Sequence, residues 1–193
     1  MDERVGQTLA ARAGLYRRLV REAWGELDEP VRRLHARALS SGTFKVCRGR
    51  GRLARLLARL LGLPREGEAV PLLLKVTPHG DGGERWHRDF AGRDFVTEQR
   101  EHAGSLLAER TGPFELLFGL TVEGGALAYR SVGAALRAGR LRVNLPRGLA
   151  PRVEALERAD GRGVRVSVRV TAPLVGLLIE YVGHVMTEGD GEG

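Results

Sequence analysis

The sequence has a single cysteine in 193 residues, Cys47. That excludes an intramolecular disulfide, and with it tetracysteine and Cys2His2 zinc sites. Lysine is nearly absent too: of 31 basic residues, only Lys45 and Lys75 are lysines. No serine stands beside a histidine and no Gly-x-Ser-x-Gly occurs, so nucleophilic catalysis by serine has no sequence support. Long apolar runs are missing as well. The longest is "APLVGLLI", Ala172 to Ile179, far short of the roughly 20 residues that span a bilayer. The N-terminal "MDERVGQTLAARAGLYRRLV" begins with acids and carries no apolar h-region. A cytoplasmic protein without a secretory signal is the expectation.

Charge and apolar content are what the chain does have. The formal charge is +7, the pI about 10.6, and 42% of residues are hydrophobic. A basic balance raises the prior for nucleic acid or an anionic surface. Yet the arginine bias, together with abundant Ala, Gly, Leu and Val, is the pattern a GC-rich coding sequence gives. Without a recognition motif, nucleic-acid binding is disfavoured.

The first third reads as helical. "VGQTLAARAGLYRRLVREAW" spaces Leu9, Leu15, Tyr16, Leu19, Val20 and Trp24 at near-helical intervals, with Gly25 as its end. "DEPVRRLHARAL" restarts with Asp28 as N-cap and Pro30 in the first turn, and Val31, Leu34 and Leu39 point inward. "SSGTFKVCRG" reads as a strand. "GRLARLLARLLG" reads as an amphipathic helix with Leu53, Leu56, Leu57, Leu60 and Leu61 on the core side and Arg52, Arg55 and Arg59 opposite. Contact of that helix with an anionic membrane is the less favoured alternative to core packing.

From Val70 onward the period is 2. Phe114, Leu116, Phe118, Leu120 and Val122 alternate, as do Val164, Val166, Val168 and Val170. Turn pairs such as Asp160–Gly161 separate about eight to ten strands at hairpin spacing, which favours an antiparallel sheet. The expected fold is α+β: N-terminal helices over about 5–62, then a large curled or barrel-like antiparallel β-sheet over about 69–186. One domain over 1–186 with a disordered tail at 187–193 is the simplest organisation.

Three motifs are candidates for chemistry. Gly49-x-Gly51-x-x-Ala54 has the form of a dinucleotide fingerprint. The following strand "VPLLLKV" lacks the terminal acid and no βαβ repeat follows, so no cofactor is expected. His79-x-Asp81 and His87-x-Asp89 offer metal-ligand chemistry without a fixed third ligand, and no metal is expected. Cys47 reads as a small packing residue.

"GERWHRDFAGRDFVTEQ" is the most informative stretch. Read as a hairpin with a four-residue connection, it places Phe90 opposite Phe95, Arg88 opposite Thr97 and Trp86 opposite Gln99, with all six on one inner face. Arg85, His87, Asp89, Val96, Glu98 and Arg100 form the outer face, with His87 opposite Glu98. An arginine on an apolar face needs an anionic partner. Glu84, Glu101, Glu109 and Glu154 are the internal candidates. A ligand's carboxylate or phosphate is the functional alternative, with Trp86, Phe90, Phe95, Thr97 and Gln99 lining the site around Arg88.

The segments "LYRRLV…LDEPVRRLHA", "GTFKVCRG", "LARLLARLLGLP", "GERWHRDFAGRDF", "ERTGPFELLFGLTV", "LAPRVEALE" and "APLVGLLIEYVG" occur in an order that resembles the bacterial "domain of unknown function 4166" family. The resemblance implies an accessory-type domain, standing alone or beside NAD-dependent epimerase- or saccharopine-dehydrogenase-like domains. It supplies no catalytic residues. Two functions are therefore expected. The first is binding of a small amphipathic or lipid-like ligand in a cavity of the curled sheet. The alternative is an enzyme or accessory subunit working with a separate NAD-dependent oxidoreductase or epimerase, in which His35, Glu109 and Glu154 are the acid–base candidates.

Overall fold

The structure is a computed structural model that describes residues 14–139 and 141–187. The chain begins with α1 (Leu15–Val20), a 3-10 segment (Arg21–Glu26) and α2 (Glu29–Leu34). Strand β1 (Leu39–Arg48) follows, then α3 (Arg52–Leu60). Ten strands complete the sheet: β2 (Gly67–His79), β3 (Gly83–Phe90), β4 (Asp94–His102), β5 (Leu106–Thr111), β6 (Phe114–Glu123), β7 (Ala126–Ala138), β8 (Leu141–Asn144), β9 (Arg152–Asp160), β10 (Gly163–Ala172) and β11 (Gly176–Thr187).

Among the described residues every strand pairing is antiparallel, in the order β6-β5-β4-β3-β2-β1-β11-β10-β9-β7-β8. An added β6–β7 pairing closes the ring into a barrel of ten strands. β8 lies outside it, paired to the second half of β7 after β7 has left β9. Closure leaves no free edge in the ring, which a sheet of this length otherwise exposes. The fold is mostly β, so the expected α+β class holds only loosely. The helices are short, and β1, the strand read from "SSGTFKVCRG", stands between α2 and α3.

The local expectations fare unevenly. The long first helix stops at Val20 and continues as the 3-10 segment through Gly25, while its expected first half lies outside the described residues. Asp28 does occupy the N-cap position of α2, but its side chain makes no cap bond. Instead its backbone N–H donates to Gly125 O at 2.9 Å, tying α2 to the β6–β7 turn. That turn, Gly124–Gly125, has both residues at positive φ, 55° and 80°, the two-residue type I′ hairpin geometry.

The barrel has two unlike ends. At one, α1 and α2 plug the opening: Leu15, Tyr16, Leu19, Val31 and Leu34 are buried there. At the other, where β1 ends and β11 begins, α3 lies across the rim. It does not lie as the leucine pattern suggests. Ala54 and Ala58 are the buried residues, at 1% and 0% exposure, while Leu53, Leu56 and Leu60 are 50%, 53% and 74% exposed. Arg48 holds the segment after α3 by donating to Pro64 O at 2.6 Å and to Leu63 O.

Midway along the barrel, the rings of Phe44, Phe90 and Tyr181 pack edge-on, with centroids 5.7–5.9 Å apart. Gly183 makes room for them. A Cβ there would come within 2.3 Å of Thr43 O and 2.5 Å of the Phe44 ring. Gly183→Ala must therefore displace a strand or a core aromatic. It is expected to destabilise the protein by roughly 3 kcal/mol, read as a lower urea midpoint at unchanged m.

Candidate functional site

Alternation along the strands aims one set of side chains into the barrel. These enclose a cavity of about 320 Å³. All ten ring strands contribute to its lining, and most of the lining is apolar. Towards the α3 end it is walled by Leu57, Leu61, Phe95, Phe114, Leu145 and Leu149. Towards the plugged end the lining turns polar.

Arg88 stands at that change. Its guanidinium lies 5.0 Å over the Trp86 ring and 5.9 Å from the Phe95 ring, a cation–π sandwich. It donates to Thr97 Oγ1 at 2.9 Å. Glu109 Oε1 lies 3.5 Å from both terminal nitrogens, an ion pair too long for strong hydrogen bonds. With five N–H groups, the guanidinium keeps donor capacity toward the cavity. Burial pulls its pKa down, but Glu109 and the tyrosines Tyr181, Tyr16 and Tyr129 more than offset that, so the charge is held firmly.

Below Arg88 lies a hydrogen-bonded chain. The Gln99 amide donates to Glu109 Oε1 at 3.3 Å, and the Tyr16 hydroxyl donates to Gln99 Oε1 at 2.9 Å. His35 Nε2 is 2.6 Å from Glu157 Oε2 and 3.4 Å from the Tyr129 hydroxyl. The His35 ring lies 3.8 Å from that of Tyr16, and its Nδ1 is buried without a hydrogen-bond partner. Burial, reinforced by Glu157, pushes the phenols of Tyr16 and Tyr129 well above the ordinary tyrosine value. Burial likewise raises Tyr181 to about 12, against the opposing charge of Arg88. The phenols therefore stay protonated over the whole neutral range and act as hydrogen-bond donors.

The six residues expected to line a site do come together. Trp86, Arg88, Phe90, Phe95, Thr97 and Gln99 all face this cavity. The register expected for them is wrong by two residues. Arg88 pairs with Phe95, Trp86 with Thr97 and Glu84 with Gln99. The connection is a two-residue turn in which Ala91 takes φ 53° and Gly92 φ 80°, where a four-residue loop was expected. Because side chains alternate with period 2, a slip of two leaves the inner face unchanged. On the outer face His87 stands opposite Val96 and bonds Asp94 at 2.7 Å, whereas Arg85 meets Glu98 at 2.9 Å.

Of the four acids considered for Arg88, Glu109 is the partner. Glu84 instead accepts from Leu15 N and Trp86 Nε1, and Glu101 lies near Arg18. Glu154 is exposed. The acid of that strand which enters the barrel is Glu157, which sequence reasoning missed. Alternation counted from buried Val153 reaches Ala155 and Glu157 and passes over Glu154. Tyr16, Tyr129 and Tyr181 were missed as polar groups for want of any local signal beyond their apolar spacing.

The glycine fingerprint has a packing role. A Cβ on Gly49 would stand 1.8 Å from Leu177 O, and Gly49 N–H donates to Leu178 O at 3.1 Å. Its glycine lets β1 lie hard against β11. His79 and Asp81 do not form part of a metal cluster: no group of three or more metal-ligating side chains occurs among the described residues. Nor is any described helix long and apolar enough to cross a membrane.

A family model named "Domain of unknown function (DUF4166)" matches residues 27–185. The chain belongs to that family. No curated protein matches the sequence. Among solved structures, fatty-acid-binding protein 1 of Echinococcus granulosus is similar, with 13% identity and a TM-score of 0.39. The match covers 79% of this chain and 97% of that one.

Proposed function

We propose that this DUF4166 domain binds a small amphipathic, lipid-like molecule inside the barrel. The supporting observation is the cavity itself. Its volume of about 320 Å³ falls in the range of small-molecule pockets, and its lining is largely apolar with a few convergent polar groups. A chain would lie along Leu57, Leu61, Phe95 and Phe114, with the head beside Arg88, Gln99 and Tyr181.

The charge balance favours an uncharged head. Arg88 already faces Glu109, and a carboxylate brought into that space would meet like charge as well as the guanidinium. A hydroxyl or carbonyl can accept from Arg88 or a tyrosine and, if a hydroxyl, donate to Glu109. Long-chain alcohols are therefore expected to bind more tightly than the acids of equal length.

Tritiated hexadecanol, with hexadecanoic acid as competitor, tests this directly. Saturable uptake that the acid displaces only at roughly tenfold higher concentration is expected, a difference of about 1.4 kcal/mol. Val168→Trp, which fills the cavity from β10, should abolish uptake and leave the β circular dichroism intact. Absence of saturable uptake by the wild type, or undiminished uptake by a folded Val168→Trp, would overturn the proposal.

A further inference from the structure

The fold leaves α3 in an unusual posture. Around the helix, residues fall into three sectors at 100° per residue. Ala54 and Ala58 face the barrel, with Leu57 and Leu61 beside them at the cavity wall. Leu53, Leu56 and Leu60 form a second, outward stripe, each at least half exposed. Arg52, Arg55 and Arg59 form a third, also exposed, which borders the leucine stripe. A helix that only covers a core would turn its leucines inward and its polar face out.

Two further elements at the same end expose leucine. Leu149, between β8 and β9, lines the cavity mouth and is 60% exposed. Leu174, at the tip of the β10–β11 hairpin, is 96% exposed and sits at φ 65°, a conformation unfavourable to any residue with a Cβ. That hairpin opens onto Leu177 and Leu178, against which the α3 segment packs.

The α3 segment is basic, with exposed Glu66 and Glu68 following it at the start of β2. From residue 48 to residue 65 the sequence carries six arginines and no acid. Arg50, Arg65 and Arg147 are exposed, like the arginines of α3. Exposed leucines beside exposed arginines, with no carboxylate between them, complement a surface that is anionic outside and apolar just beneath. That is the make-up of an acidic phospholipid bilayer. Nucleic acid would use the arginines but give the leucines nothing to bury.

We infer that the α3 end of the barrel docks on an anionic phospholipid membrane, with α3 lying in the interface and Leu53, Leu56, Leu60 and Leu174 inserted among the acyl chains. The cavity mouth then opens onto the bilayer. Docking requires only the surface and does not rest on what the cavity holds.

Flotation of the full chain with vesicles tests the inference. Vesicles of equal phosphatidylglycerol and phosphatidylcholine should carry the protein at least tenfold better than pure phosphatidylcholine, and 0.5 M NaCl should remove most of that difference. Leu53→Ser/Leu56→Ser/Leu60→Ser changes only exposed side chains. It should retain the wild-type melting temperature and lose binding at least tenfold. Val168→Trp should still float, which separates failure of docking from failure of ligand uptake. The inference is overturned if the wild type ignores anionic vesicles, or if the triple serine variant floats as well as the wild type. It is overturned equally if the wild type is a dimer that the triple variant dissolves, since the leucines would then form a subunit contact.

Discussion

Arg88→Met is expected to lower the stability of the barrel by about 3 kcal/mol, the low end of the cost of removing one member of a buried ion pair. The side chains of Arg88 and Glu109 are 14% and 18% exposed, so neither charge is well hydrated. Removing the guanidinium leaves Glu109 with the Gln99 amide at 3.3 Å. Most of the loss is the penalty on that stranded carboxylate. Adding Glu109→Gln should therefore restore most of the stability, with a coupling of at least about 1 kcal/mol between the two sites. Urea denaturation of the four proteins of this cycle measures it. A single variant as stable as the wild type would show that the 3.5 Å contact contributes nothing to folding. The double variant then isolates function. Folded but without its cation, it should take up hexadecanol at least tenfold more weakly, and undiminished uptake would remove Arg88 from the proposed site.

Glu115→Ala should cost at least as much. Its side chain is 1% exposed and meets Arg142 at 2.7 Å, Arg100 at 2.9 Å and Arg137 at 3.2 Å. One carboxylate on β6 thus fastens β4, β7 and the appended β8 beside the seam that closes the ring. Its loss leaves three guanidinium groups facing one another, and roughly 3–4 kcal/mol is expected. The arginines are 27–47% exposed, so water limits the cost from rising further. The contact also predicts a pH dependence. Burial pushes the Glu115 carboxyl up, but the bonds from Arg142 and Arg100 outweigh it and hold it below the ordinary value of 4.5. A depressed folded-state pKa gives stability that is complete above the unfolded value and is lost as pH falls through the folded one. The gap between wild type and Glu115→Ala should therefore be constant near neutrality and narrow only below about pH 4.5. A gap that holds its full size down to pH 2 would mean that the charge of Glu115 does not carry the effect.

The inner face of the "GERWHRDF" hairpin was legible because period 2 is a local property. It survived even an error in register, since Trp86, Arg88 and Phe95 keep their side of the sheet under a slip of two. The register itself was not legible. It depends on Ala91 accepting a positive φ, which alanine adopts only when the flanking strands impose it. Helix α3 failed differently. Its sequence specifies an amphipathic helix, and the leucines look like the buried side. Only the close packing of Ala54 and Ala58 on the barrel decides which side is buried.

By itself, then, the sequence determined the strands, the alternation that points Trp86, Arg88, Phe90, Phe95, Thr97 and Gln99 to one side, and the need of Arg88 for an anion. These follow from backbone geometry and from the cost of desolvating a charge, and both act within a few residues. The tertiary structure alone decided that Glu109 and not Glu84, Glu101 or Glu154 faces Arg88, and that Tyr16, His35, Tyr129 and Glu157 converge beneath it. These contacts join residues from 21 to 122 positions apart. Whether such groups meet depends on how the sheet closes, and no local pattern records that.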